Sequence, residues 1–275
     1  MSPLSNLQLG EIDLTLIPRD RKILSAMRNL KFIRTNQAMR LFFPPVGKTE
    51  RAALTFTTKN LNRLKKLGLV SHLDKHIGGI RTGSFGLVWY VTNAGCRLLD
   101  LNAGIESSRI NKPELSSVTL RHKLAVTETY VQIVEICRTE ETMKLAYLSV
   151  EPGCWRSYEV KGKPISLRPD LYAETISGKY EDHWFIEMDL DTEAMSVVID
   201  KCGRYYDYYL TNKEQRVGKV FPVVLWVVPS ESRKQKMIEA IKNSFGKRQS
   251  HLFLVITPAE FAATLKNGVE EEQLC

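Results

Sequence analysis

The run Val220-Phe-Pro-Val-Val-Leu-Trp-Val-Val228 constrains this chain more than any other stretch, because it has neither charge nor alternation and must be covered on both faces. Such a segment reads as a buried strand of a sheet flanked by helices. The charge-free stretch ends at Ser230, well short of the roughly 18 to 20 apolar residues that span a bilayer. Ser230 opens a helix that turns Met237, Ile238, Ile241 and Phe245 inward, and His251 to Thr257 gives one more buried strand. Upstream, SVTLRHKLAVTETYVQIVEIC from Ser117 places Leu120, Leu124, Thr127, Val131 and Val134 on one face of a long helix. Strand-like segments follow at Lys144 to Val150, Leu171 to Ile176 and His183 to Leu190, then a helix from about Glu193 to Leu210. The back half therefore reads α-β-β-β-α-β-α-β, a mixed sheet flanked by helices.

The front half has another grammar. PRDRKILSAMRNLKF from Pro18 puts Ile23, Leu24, Met27 and Leu30 at helical spacing, and Thr35 precedes a two-turn helix stopped by Pro44-Pro45. In LTFTTKNLNRLKKLGLV, Leu54, Leu61, Leu64 and Leu67 run down one side while Lys59, Arg63 and Lys66 recur on another, and Gly68 ends the helix. Leu69 to Leu73 and Leu87 to Val91, joined through a Gly-rich tip holding Arg81, predict a β-hairpin. Two helices, a basic third helix and a hairpin are the order of a winged helix-turn-helix. A helix fits the major groove and a hairpin tip reaches the neighbouring backbone, so Lys59, Asn62, Arg63, Lys66 and Arg81 are the expected contacts to double-stranded DNA. A short helix from Thr92 and a polar linker from Asn102 to Pro113 close this part, giving an expected boundary between a DNA-binding domain over 1–112 and a second domain over 113–275.

Charge follows the same division. Of the 275 residues, Met1 to Lys112 carries 18 Lys+Arg against 7 Asp+Glu, and the remainder 21 against 24. An excess of positive charge confined to the front predicts a polyanionic partner there, nucleic acid rather than a membrane, since no front helix pairs a basic face with an insertion face. The five cysteines (96, 137, 154, 202, 275) form no C-x-x-C pair and fit reduced thiols; with no secretory signal at the start, the expected compartment is the cytoplasm. No phosphate-cradling glycine motif occurs. Tyr205 and Tyr209 form a Y-x-x-x-Y pair like that of some covalent initiators, but no His-hydrophobic-His strand accompanies them, so they are expected to pack with polar tips. His72 and His76 fall in the hairpin and do not share a helical face as metal ligands would.

The chemistry gathers at carboxylates. In HWFIEMDLD, alternation sends Glu187 and Asp189 to one face, about 6 to 7 Å apart. Asp170 starts the preceding strand one hairpin away, so pairing of the two strands would bring it beside Glu187. Clustered carboxylates bind hard cations such as Mg²⁺. Pro169-Asp170 followed by Glu187-Met188-Asp189, in this order of elements, resembles the PD-(D/E)XK nuclease superfamily, with Asp170, Glu187 and Asp189 as metal ligands. The motif lysine of that superfamily is replaced by Asp189; Lys201 on the following helix is the candidate substitute, and Glu128 a candidate further ligand or partner of a basic residue. A second resemblance covers nearly the whole chain: RDRKILSAMRNLKFIRTNQ, LNRLKKLGLV, HKLAVTETYV, RPDLYAE, FIEMDLDTEAM, and Lys201 with Tyr205 are similar to the replication-relaxation family of plasmids and integrative elements. That resemblance implies a DNA-binding accessory in replication, relaxation or mobilisation; a relaxase or replication initiator is the candidate protein partner and a homodimer the candidate assembly. The alternatives are an active Mg²⁺-dependent endonuclease using Asp170, Glu187, Asp189 and Lys201, or a repressor of its own operon. The expected fold is α+β: a winged helix-turn-helix followed by a mixed-sheet PD-(D/E)XK nuclease-like domain.

Overall fold

A computed structural model describes residues 4–73, 86–105, 116–218, 220–269 and 274–275. The fold is α+β, in two compact units, Met1–Val131 and Gln132–Cys275. The expected linker from Asn102 to Pro113 lies in part outside the described residues, as do Arg81 and His76.

The first unit runs α1 (Asn6–Leu14), α2 (Pro18–Leu30), β1 (Ile33–Arg34), α3 (Thr35–Phe42), α4 (Glu50–Lys66), β2 (Val70–His72), β3 (Val88–Val91) and α5 (Asn93–Ala103). Pro18 supplies the first turn of α2, and the Asp20 carboxylate accepts from the Ile17 N–H at 3.1 Å. Ile23, Leu24, Met27 and Leu30 are buried, as their spacing requires. Thr35 is the first residue of α3 rather than its cap. Its hydroxyl is committed elsewhere, donating to the Leu87 carbonyl at 3.2 Å and accepting from Trp89 Nε1 at 3.0 Å, while Gln37 returns to the Arg34 N–H. The basic helix α4 starts four residues before the expected point, where the Thr49 hydroxyl accepts from the Ala52 N–H. Its buried stripe is Ala53, Thr57, Leu61 and Leu64; Leu54, expected on that side, is 38% exposed. β2 and β3 pair antiparallel as expected, and β1 adds an unexpected third strand in the order β1-β3-β2. Gly95 at the start of α5 is obligatory: a Cβ there would lie 2.3 Å from the Leu69 carbonyl oxygen.

The helix α6 (Ser117–Thr139) is the longest described, and the division between units falls within it. Its Leu120 and Leu124 pack with Phe32 in the first unit.

The second unit continues with β4 (Met143–Val150), β5 (Arg156–Val160), β6 (Lys163–Leu167), β7 (Leu171–Ser177), β8 (Tyr180–Met188), α7 (Met195–Leu210), α8 (Lys213–Gly218), β9 (Val223–Val227), α9 (Glu231–Ser250), β10 (Phe253–Ile256) and α10 (Phe261–Asn267). The five-stranded sheet has the order β10-β9-β8-β7-β4, antiparallel from β4 to β8 and parallel from β8 to β10. It is therefore mixed, and β9, an interior strand between β8 and β10, is buried along almost its whole length, as the charge-free run demands. The hairpin β5-β6 stands apart as a two-stranded ribbon. One sheet face is covered by α7 and α9 through a core that includes Tyr172, Phe185, Val224, Val198, Cys202, Tyr205, Met237 and Ile241. Among the described residues no helix is long and apolar enough to cross a membrane.

Candidate functional site

Alternation along β8 sends Phe185 and Glu187 to the face that α7 covers, so the sequence buries a carboxylate in an aromatic core. Pairing of β7 with β8 runs Leu171 opposite Ile186, which carries Asp170 alongside Glu187 one step further on. From α7, Lys201 Nζ reaches Glu187 Oε2 at 2.6 Å, and one turn later the Tyr205 hydroxyl donates to Glu187 Oε1 at 2.5 Å. Both Glu187 oxygens thus have a protein donor. Burial drives the Glu187 carboxyl up to about 7 against the pull of Lys201, with Asp170 adding to the rise. Burial would lower the Lys201 ammonium, but the carboxylates of Glu187 and Asp170 outweigh it and hold it above its ordinary value. Asp170 Oδ2 accepts from the Met188 N–H at 2.9 Å, which ties the start of one strand to the end of the next.

Asp189 is engaged differently. It lies just beyond β8, where its Oδ2 accepts from Arg233 Nε at 2.6 Å and its Oδ1 from the Asp191 N–H at 2.9 Å. Arg233, on the Ser230-capped first turn of α9, also donates to the Glu193 carbonyl and pairs with Asp191. This arginine went unrecognised in the sequence because it stands 44 residues from its partner. Of the expected site, then, Asp170, Glu187 and Lys201 come together with Tyr205, and Asp189 belongs to Arg233. Among the described residues, no group of three His, Cys, Asp or Glu side chains could hold a metal ion. With both Glu187 oxygens bonded and Asp189 paired to a guanidinium, Asp170, Glu187 and Asp189 do not fit a Mg²⁺ site. Glu128 is also taken, by Gln37 Nε2 at 2.9 Å and Arg40 at 2.5 Å. Beside the buried pair, a cavity of about 410 Å³ is lined by Lys201 with Arg168, Arg204, Glu193 and Asp200.

The second candidate surface is the outward face of α4. Lys59, Asn62 and Lys66 are exposed there, while Arg63 is half-buried and bonded to Asp20 Oδ1 at 2.5 Å. Helical spacing adds Arg51 and Thr55 to the same face, extending it over about 22 Å. A helix started at Leu54 leaves Arg51 out; the Thr49-Glu50 cap is the readable clue to the earlier start. Neither Arg51, Lys59 nor Lys66 has a carboxylate partner among the described residues. His72, in β2, lies 2.7 Å from Lys65 Nζ and edge-on to Trp89.

The replication-relaxation family model matches residues 24–224, well over half of the chain. The chain belongs to the replication-relaxation family. The match takes in the exposed face of α4 and every member of the Asp170-Glu187-Lys201-Tyr205 cluster, whereas Arg233 lies beyond it. Membership points to a role in plasmid or element replication or relaxation. Comparison with the curated proteins and with the solved structures gave no match. Tyr205, expected only to pack, is the second donor to Glu187; Tyr209 packs edge-on against Phe221.

Proposed function

We propose that this member of the replication-relaxation family is a DNA-binding accessory protein, whose first unit grips duplex as a winged helix-turn-helix. The observation that carries the reading is the outward face of α4, where Arg51, Lys59, Asn62 and Lys66 stand exposed with no carboxylate among them. Phosphate contacts of that kind position a protein on duplex and neutralise backbone charge. The order α2-β1-α3-α4-β2-β3 supports the winged-helix assignment, in which α4 enters the major groove. The second unit reads as PD-(D/E)XK nuclease-like: its sheet runs in chain order from an antiparallel meander into parallel strands, with Asp170 and Glu187 side by side. Its carboxylates are engaged within the protein, which favours a scaffold or partner platform over a nuclease.

Fluorescence anisotropy with a labelled duplex, titrated across salt, tests the reading. Affinity falls steeply with salt, and Lys59→Ala and Lys66→Ala each lower the slope of log affinity against log salt by roughly one. A salt response that is flat, or that neither substitution alters, rejects α4 as the DNA-binding element.

A second reading, a metal-dependent endonuclease, is favoured by one observation: Lys201 reaches Glu187 beside Asp170, where a nuclease would want its cation. The donor set described above counts against it.

A further inference from the structure

On a flank of α4 that faces neither the core nor the cationic surface, the first unit has a small apolar groove. It occupies about 210 Å³ between the start of α2, the end of α3 and the start of α4. Phe43 and Phe56 form its floor, meeting edge to face with centroids 5.3 Å apart. Pro44-Pro45 ends α3 and fixes a turn in which the Val46 N–H donates to the Pro44 carbonyl at 2.8 Å, leaving Val46 81% exposed on the rim. Phe56 is itself 44% exposed, a large aromatic on a helix whose buried stripe lies elsewhere. Two cations complete the lining: the Arg19 guanidinium carbon lies 5.0 Å above the Phe43 ring, and Lys48 Nζ lies 5.5 Å from the Phe56 centroid. Neither has a carboxylate partner among the described residues, and none lines the groove.

We propose that this groove docks an acidic segment of a partner protein, seating one or two large apolar side chains on the phenylalanines and placing carboxylates against Arg19 and Lys48. Charge complementarity decides the occupant, because two uncompensated cations on an apolar floor call for an anion attached to a hydrophobe. Nucleic acid fits less well. The volume suits a side chain or two rather than a nucleotide with its sugar. Phe56 lies about a quarter turn around α4 from the middle of the cationic face, so an occupant leaves that face clear. The docking is independent of whether α4 binds DNA.

The test uses the full chain and three fluorescein-labelled peptides. The first sets Leu and Phe at helical spacing among Glu; the second has Lys in place of Glu; the third has Ser in place of Leu and Phe. The first binds, and the other two bind at least roughly tenfold more weakly, a difference of about 1.4 kcal/mol. Arg19→Glu with Lys48→Glu weakens the first peptide by a similar factor, as does Phe56→Ser, while thermal melting confirms that each variant folds. Amide shift mapping with the first peptide places its perturbations at Phe43, Val46, Lys48 and Phe56. Equal binding of the Lys peptide, perturbations mapped elsewhere, or displacement of the peptide from the groove by a short oligothymidylate overturns the proposal.

Discussion

A carboxylate with no exposed surface must be paired, protonated or both, and Glu187 has the means for each. Lys201 supplies opposite charge and the Tyr205 hydroxyl a neutral donor, while burial and Asp170 raise its proton affinity. Because the folded value, about 7, stands above the ordinary 4.5, the native state binds the proton more tightly than the unfolded chain across that interval. The resulting stability is fully present below about 4.5 and is lost as pH rises through about 7, amounting at most to roughly 3 kcal/mol. Lys201, raised above its ordinary value, would lose its contribution only at far more alkaline pH. Asp13 and Glu260, both lowered by hydrogen bonds to cationic partners despite burial, lose theirs only in acid. Denaturant unfolding at pH 5, 6, 7 and 8 therefore shows wild-type stability declining with pH, and Glu187→Gln, which keeps an acceptor for Tyr205, flattens the decline. Parallel pH profiles for the two proteins would remove Glu187 as the source.

At the scale of the element, the basic stripe of α4 is divided, among the described residues, between a paired and an unpaired part. Arg63 belongs to the stripe in sequence, yet its guanidinium is bound to Asp20, a carboxylate 1% exposed that also receives the Ile17 N–H. Removing Arg63 leaves that charge buried with only its backbone donor. Because Arg63 is itself 42% exposed, the cost falls below that of a fully buried pair, at about 1–3 kcal/mol. Urea unfolding should show Arg63→Ala destabilised by that amount and partly restored by adding Asp20→Asn, with a smaller change in salt slope than Lys59→Ala or Lys66→Ala produces. An Arg63→Ala protein as stable as wild type would show that the ion pair with Asp20 is not what Arg63 is for. The pair also marks how far the sequence is legible. Periodicity reveals α2, α6, β8, β9 and β10, because each buries a continuous stripe or run. It is silent on partners 43 residues apart, and on elements with little to bury: α1 buries only Leu9, and the β5-β6 ribbon only Tyr158 and Leu167. Alternation put Glu187 and Asp189 on one face, but β8 ends at Met188 and frees Asp189 to meet Arg233.

Over the whole molecule, charge and candidate chemistry are segregated. The unit up to Val131 carries 20 Lys+Arg against 9 Asp+Glu, and the unit after it 19 against 22, so moving the boundary from 112 to 131 leaves the asymmetry unchanged. A polyanionic partner would consequently be drawn chiefly to the first unit, while the Asp170-Glu187-Lys201-Tyr205 cluster, whose carboxylates already have protein partners, sits in a unit of slight negative charge. An enzyme that cuts DNA needs the opposite arrangement at its reacting centre, with carboxylate oxygens open to a cation and positive charge held free for the phosphate. Incubating the full chain with supercoiled plasmid and either Mg²⁺ or Mn²⁺ separates the two designs. The expected outcome is retarded migration with the plasmid still supercoiled after the protein is removed by protease, identical for wild type and Asp170→Ala, and abolished at high salt. Lys213→Ala, on the exposed surface of the second unit, leaves the retardation as it was. Nicking by the wild type that Asp170→Ala eliminates would show that the Glu187-Lys201-Tyr205 arrangement opens when DNA arrives, and the second unit would then be the catalyst rather than the platform.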